Sequence, residues 1–224
     1  MTTDFLTKQD AVTALSKMIN FHNDLTEVMS KHNFDILDNL GRRNILLSQA
    51  QEKYFAESLA KKYKVRSDGR TGEPDIVIES LGKELECKLT SPQKHGAIAF
   101  QTDYETLLKK GSLDYLYVVA DRSFEKFAVI HYKNLTVDDF RPLSTGARGK
   151  TQLMKHKAKG KANILIGNMK SINDTELKKL KKKLEIATTD KKKEKVLKSI
   201  GYWNKTPEKF KIELEGINEA VISR

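Results

Sequence analysis

The chain has 224 residues and 38% apolar residues, and its 41 Lys and Arg exceed its 30 Asp and Glu to give a net charge of +11. That length can bury a sizeable core in one domain with appended parts. One cysteine and five histidines without zinc spacing exclude a disulfide framework and a structural zinc site, and no apolar run approaches membrane length.

The predicted elements divide into a helical N-terminal part (1–44), a central part (45–140) and a basic extension (141–224). Residues 1–40 read as two short helices; in the first, Asp10 to Phe21, Val12, Leu15, Met18 and Ile19 recur at helical spacing. Ile45 to Tyr63 reads as an amphipathic helix with Leu47, Tyr54, Phe55 and Leu59 on its apolar side and Glu52 and Glu57 along it. A turn-rich loop through Ser67-Asp68-Gly69-Arg70-Thr71-Gly72 precedes Pro74.

Asp75 to Glu79 and Glu84 to Leu89 both alternate polar and apolar, the pattern of half-buried strands, and the short Gly-containing link between them predicts a hairpin. A turn centred on Leu81-Gly82 sets Ile78 opposite Leu85, Ile76 opposite Cys87, Val77 opposite Glu86 and Asp75 opposite Lys88. Ile76, Ile78, Leu85, Cys87 and Leu89 then share one face. Asp75, Glu86 and Lys88 share the other, as opposite or diagonal neighbours. Ile98 to Lys109 is expected to be a second helix carrying Gln101. Leu113 to Ala120 is an apolar strand of the buried type, and Phe127 to Tyr132 repeats the pattern.

Arg141 to Lys161 lacks periodicity and reads as a loop. Leu177 to Leu184 and Lys191 to Ile200 read as helices, with Asn173 or Asp174 and Thr188 or Thr189 as N-caps. Phe210 to Gly216 alternates like an edge strand. Cys87 reads as a small buried hydrophobe. Gly146-Ala147-Arg148-Gly149-Lys150-Thr151 has two residues between its glycines where a nucleotide-binding loop needs four, so no nucleotide cofactor is expected.

The charge is unevenly placed. Residues 141–210 hold 20 basic and 6 acidic side chains, and residues 141–170 hold 8 basic and none acidic. Such asymmetry suits a phosphate backbone, where neutralised charges release counterions. Arg141, Arg148, Lys150, Gln152, Lys155 and Lys157 are candidates for contact with DNA, Arg and Gln being able to pair bidentately with guanine and adenine edges. The lysines of the two later helices suggest phosphate contact at most, or a solvated face. Arg66 and Arg70, just upstream of Asp75, either clamp a nucleic-acid strand or make an ordinary loop-to-strand salt bridge.

Two carboxylates converging on one point repel each other, and a hard divalent cation such as Mg²⁺ relieves the repulsion while leaving room for water and a phosphate. A lysine beside that water can orient it or help remove its proton. Pro74, Asp75, Glu86 and Lys88, with the order helix, strand, strand, helix, strand, strand over residues 45–135, resemble the PD-(D/E)XK nuclease superfamily. The resemblance implies an α/β fold with a central mixed β-sheet flanked by helices, a restriction-endonuclease-like core with helical N-terminal and basic C-terminal additions. It implies that Asp75 and Glu86 bind the metal and that Lys88 acts at the attacking water. A further acid from the preceding helix is implied, Glu57 being the first choice and Glu52 the second; Gln101 sits where many members carry a glutamine.

The expectation is a Mg²⁺-dependent endonuclease of double-stranded DNA resembling a type II restriction enzyme, homodimeric if its target is palindromic. The stretch Leu85 to Ser91 also looks like the metal-site strand of archaeal junction resolvases. A structure-selective nuclease and a DNA-binding protein with a spent nuclease core are therefore the rivals. Met1-Thr2-Thr3-Asp4 lacks a basic-then-apolar leader, so a cytoplasmic location without membrane attachment is expected.

Overall fold

A computed structural model describes residues 4–67, 69, 73–92, 98–143, 149–171, 180–205 and 210–217. Two compact units are present: residues 1–167 with 214–224, and residues 168–213. Residues 141–167, grouped by charge with the extension, pack into the first unit.

The first unit begins with one long helix, α1 (Lys8–Lys31), where the sequence predicts two short ones. The seam at His22-Asn23-Asp24 contains neither Pro nor Gly to break it, and His22 is buried with its ring stacked on Phe124 at 4.8 Å. Thr7 and Asp10 start α1 with a capping box, each side chain accepting from the other's backbone N–H. The second helix, α2 (Leu40–Ala60), starts five residues before the expected Ile45, because the Asn39 side chain caps it by accepting from Arg42 N at 3.1 Å.

The short β1 (Val65–Arg66), β2 (Ile76–Ile78) and β3 (Lys83–Thr90) form an antiparallel meander. After β3 come β4 (Gln101–Asp103), α3 (Tyr104–Lys110), β5 (Leu113–Ala120) and β6 (Lys126–Leu135). Then follow β7 (Lys150–Gln152), the one-turn α4 (Lys155–Ala158) and β8 (Ala162–Ile166), and β11 (Glu215–Gly216) returns to this unit. The main sheet has seven strands in the order β1-β2-β3-β5-β6-β11, with β8 also paired to β6. β3 and β5 are parallel and the other pairs antiparallel, so the protein is α/β with a mixed central sheet flanked by helices.

One face of the sheet carries Ile76, Ile78, Leu85, Cys87, Leu116, Val118 and Val129, all buried in a single core with Leu15, Met18, Leu47, Phe55 and Leu59 of α1 and α2. This apolar layer fixes which side chains face the other way. The hairpin register differs by two residues from expectation: Ile76 lies opposite Leu85, Val77 opposite Glu84 and Ile78 opposite Lys83. A 3₁₀ turn at Glu79–Leu81, closed by Gly82 at φ 58°, centres the connection one residue earlier, on Ser80-Leu81, and so moves the pairing by two. A shift of two keeps every side chain on its face, and the same register continued outward sets Asp75 across from Glu86 instead of Lys88.

Gln101 lies on a strand, not on the expected helix, because α3 starts only after Asp103, whose side chain caps it by accepting from Thr106 N at 3.0 Å. Nor is 141–161 one loop, since β7 pairs with β4 and Phe140 bridges to Leu153.

Arg43 on α2 is fully buried and donates to Asp121 O, Arg122 O, Asn44 Oδ1 and Ser91 Oγ at 2.6–3.3 Å, pinning the β5–β6 turn and the end of β3 to α2. Burial lowers its pKa to about 10, with the Asp121 charge partly offsetting the loss.

The second unit pairs β9 (Asn168–Ser171) with β10 (Phe210–Glu213) antiparallel and contains α5, described over 180–185, and α6 (Asp190–Lys205). Of the two candidate caps, Thr189 starts α6, its hydroxyl accepting from Lys192 N at 3.4 Å; Asn173 and Asp174 lie outside the described residues. Among the described residues no helix is long and apolar enough to cross a membrane.

Candidate active site

Asp75 sits just before β2, where Pro74 fixes the approach and removes a donor the ladder does not need. Its Oδ2 accepts a hydrogen bond from Cys87 N at 2.7 Å, which ties it to the middle of β3. Glu86 and Lys88 lie two apart on β3, hence on one face, and Lys88 Nζ donates to Glu86 Oε1 at 2.5 Å. β5 runs alongside in register, Tyr115 beside Glu86 and Tyr117 beside Lys88.

Burial raises the pKa of Asp75, with Lys88 and the Cys87 N–H acting against it. Glu86 is raised by burial first, against the pull of Lys88, and repulsion from Asp75 and Asp103 adds to the rise. Burial alone would lower Lys88, but the carboxylates of Glu86 and Asp75 overcome it and hold the ammonium above its ordinary pKa. Lys88 is thus charged at neutral pH, suited to orienting a water or stabilising negative charge but not to accepting a proton.

Of the two acids on α2, Glu52 and not Glu57 interacts with Asp75, Glu86 and Lys88. Burial, with repulsion from Asp75 and Glu86 against attraction by Lys88, pushes Glu52 up to about 7, so it belongs to the same charge cluster. Glu57 points elsewhere: it pairs with Lys17 of α1 at 2.6 Å and is held below its usual pKa by that hydrogen bond. The five-residue step from Glu52 to Glu57 turns about 500° around a helix of 3.6 residues per turn, leaving the two side chains well apart around α2. Only the position of β3 under α2 decides which one faces the strand.

The three carboxylates are hard oxygen donors gathered around the single Lys88 ammonium, more acid than one cation balances, which is the donor chemistry Mg²⁺ takes. Asp75 Oδ1 and Glu86 Oε2 enter no hydrogen bond with described residues. As the side chains stand, no group of three or more His, Cys, Asp or Glu is gathered as a metal site among the described residues; Glu86 is closed onto Lys88 instead. A shallow depression of about 290 Å³ at Lys133, Asn134, Lys161 and Asn163 includes none of these acids, and its lysines are tied to Asp4 and Asp139.

The basic candidates divide. Arg66 makes the ordinary salt bridge, to Glu73 at 2.7 Å with Glu79 at 3.9 Å. Lys155 is occupied within the fold, donating to Ile98 O at 2.5 Å above the Phe100 ring. Arg141, Lys150, Gln152 and Lys157 are exposed. Arg70 and Arg148 lie outside the described residues. Sequence reasoning missed Tyr115 and Tyr117, whose hydroxyls meet Thr102 Oγ1 at 2.6 Å and Gln101 O at 3.0 Å and seat β4 over this part of the sheet. Their spacing of two, matching Glu86 and Lys88, was the available signal.

No protein-family model matches this chain, and no curated protein or solved structure matches it.

Proposed function

We propose that the protein is a Mg²⁺-dependent endonuclease of double-stranded DNA with a PD-(D/E)XK-type core, acting as a type II restriction enzyme. The observation that carries the reading is the gathering of Asp75, Glu86, Glu52 and Lys88 into one interacting charge cluster around the middle of β3. The element order supports it: a helix, an antiparallel meander bearing both motif halves, a helix, and a strand parallel to β3.

Asp75, Glu86 and Glu52 would hold the cation through carboxylate oxygens. When bound, the ion supplies polarisation of the phosphate and eases loss of a proton from water. Lys88, kept as an ammonium, orients the attacking water and offsets charge building on the phosphoryl group. Water attacks the phosphodiester in line, and the bond to the 3′ oxygen breaks to leave a 5′-phosphate and a 3′-hydroxyl. For a palindromic target, two-fold symmetry calls for a homodimer with one site per strand.

Digestion of a plasmid of known sequence in Mg²⁺, with sequencing of the fragment ends, tests the reading. Fixed fragments with uniform ends are expected. Cutting confined to four-way junctions would replace restriction by junction resolution, and no cutting in Mg²⁺ or Mn²⁺ across linear, supercoiled and branched substrates would overturn the nuclease.

A further inference from the structure

Three polar side chains from distant parts of the sequence form a row across the β4–β7 ribbon. Gln101 of β4 stands opposite Gln152 of β7. On the other edge of β7, one step beyond the Phe140–Leu153 bridge, Arg141 donates its backbone N–H to Gln152 O at 2.9 Å. Cross-strand partners share a face, and the neighbours Thr102, Thr151, Phe140 and Leu153 are buried while Gln101, Gln152 and Arg141 are exposed. None of the three side chains bonds to a described residue.

With strands about 4.8 Å apart the row spans about 10 Å, which fits a major groove about 12 Å wide. The row is also stiffly mounted. Thr102 is held by Tyr115, Gln101 O accepts from Tyr117, Leu153 N donates to Phe100 O at 2.8 Å, and the Thr151 hydroxyl donates to Arg141 O. Tyr115 and Tyr117 are the strand neighbours of Glu86 and Lys88, and Asp103, at the end of β4, lies close enough to raise Glu86. The row therefore stands beside the charge cluster, on the same side of the sheet.

We propose that Gln101, Gln152 and Arg141 are the base-reading edge of this protein, the two amides each taking an adenine through N6 and N7 and the guanidinium taking a guanine through O6 and N7. Lys150 and Lys157, exposed nearby in sequence, supply phosphate contacts without sequence content. The inference takes its ligand, duplex DNA, from the nuclease reading.

The test is selection of bound duplexes from a randomised pool by the full chain without divalent metal, repeated with Q101A, Q152A and R141K. R141K keeps the charge but loses the planar fork. The wild-type protein should select a site containing adenine and guanine. Each variant should relax the preference at one base pair by about 5- to 150-fold, leaving the other positions and the salt dependence unchanged. Selection of no sequence by the wild-type protein, or an unchanged consensus in all three variants, overturns the base-reading row. Selection without any cleavage in Mg²⁺ upholds the row and sinks the nuclease, so the two failures are distinguishable.

Discussion

Lys88 stays an ammonium against its own burial because Glu86 and Asp75 hold its proton, and this mutual dependence sets what single substitutions should do. D75N, E86Q and K88M should each lower Mg²⁺-dependent cleavage by about 10²- to 10⁴-fold while leaving duplex binding near wild type, as read by single-turnover kinetics and binding titration. E52Q should cut activity comparably, whereas E57Q, which loses one exposed ion pair to Lys17, should stay within about twofold of wild type; the reverse pattern would return the further acid to Glu57. Thermal melting gives a reading independent of activity. Mg²⁺ at a hundredfold excess over its Kd should stabilise the wild-type protein by about 2.7 kcal/mol and leave D75N and E86Q nearly unmoved. At this scale the acidic pair and the lysine were legible from alternation alone. The identity of the third acid was not, because the packing angle of α2 on β3 is a tertiary quantity.

Among the elements, the joints at the ends of strands carry more than their length suggests. R43A removes a buried guanidinium, leaves Arg122 O without its donor and takes one of two donors from Asp121 O and Ser91 Oγ, so with the cavity it opens it should cost about 3 kcal/mol in denaturant unfolding. On β5, Asp114 bonds His131 Nε2 at 3.0 Å and Asn134 N at 2.8 Å. Burial opposes ionisation there, but those bonds prevail and the pKa is lowered from 3.8. A depressed carboxyl contributes stability that is complete above the unfolded value and lost as pH falls through the folded one. Acid titration should therefore show wild-type stability falling below about pH 4, with a shallower fall in D114N; parallel curves would deny Asp114 that role. The strand content of β5 and β6 was readable because both are continuous apolar runs. β4 and β7 were not: three residues each, they are strands only through each other, and no window of local sequence contains both.

Every arginine of the chain lies in the first unit, while the lysines are spread over both. Unit 168–213 has 14 lysines, no arginine and 7 acids, and Lys181, Lys182, Lys183, Lys191, Lys192, Lys193, Lys195 and Lys198 are exposed without ion pairs among the described residues. Lys191, Lys195 and Lys198 recur at i, i+4 and i+7, one face of α6. If DNA is the partner, the K191A/K195A/K198A variant should flatten the slope of log affinity against log salt by about 2.7, or 0.9 per lost phosphate contact, equally for all sequences; an unchanged slope would leave those lysines as solvated surface. The charge asymmetry was plain in the sequence, but the boundary at residue 168 was not, because residues 141–167 are basic by composition yet belong to the sheet by pairing.

The parallel pairing of β3 with β5 also governs when the strand that carries Glu86 and Lys88 is braced on both flanks. Glu86 meets its β5 neighbour, Tyr115, across a chain separation of 29 residues, a closure slower than that of the adjacent hairpin. A ribosome-bound chain truncated before Leu113 holds both motif halves but not the strand that braces one flank of β3. β3 gains that brace only once β5 has been made, so the support beneath the charge cluster is completed after about half the chain has been synthesised.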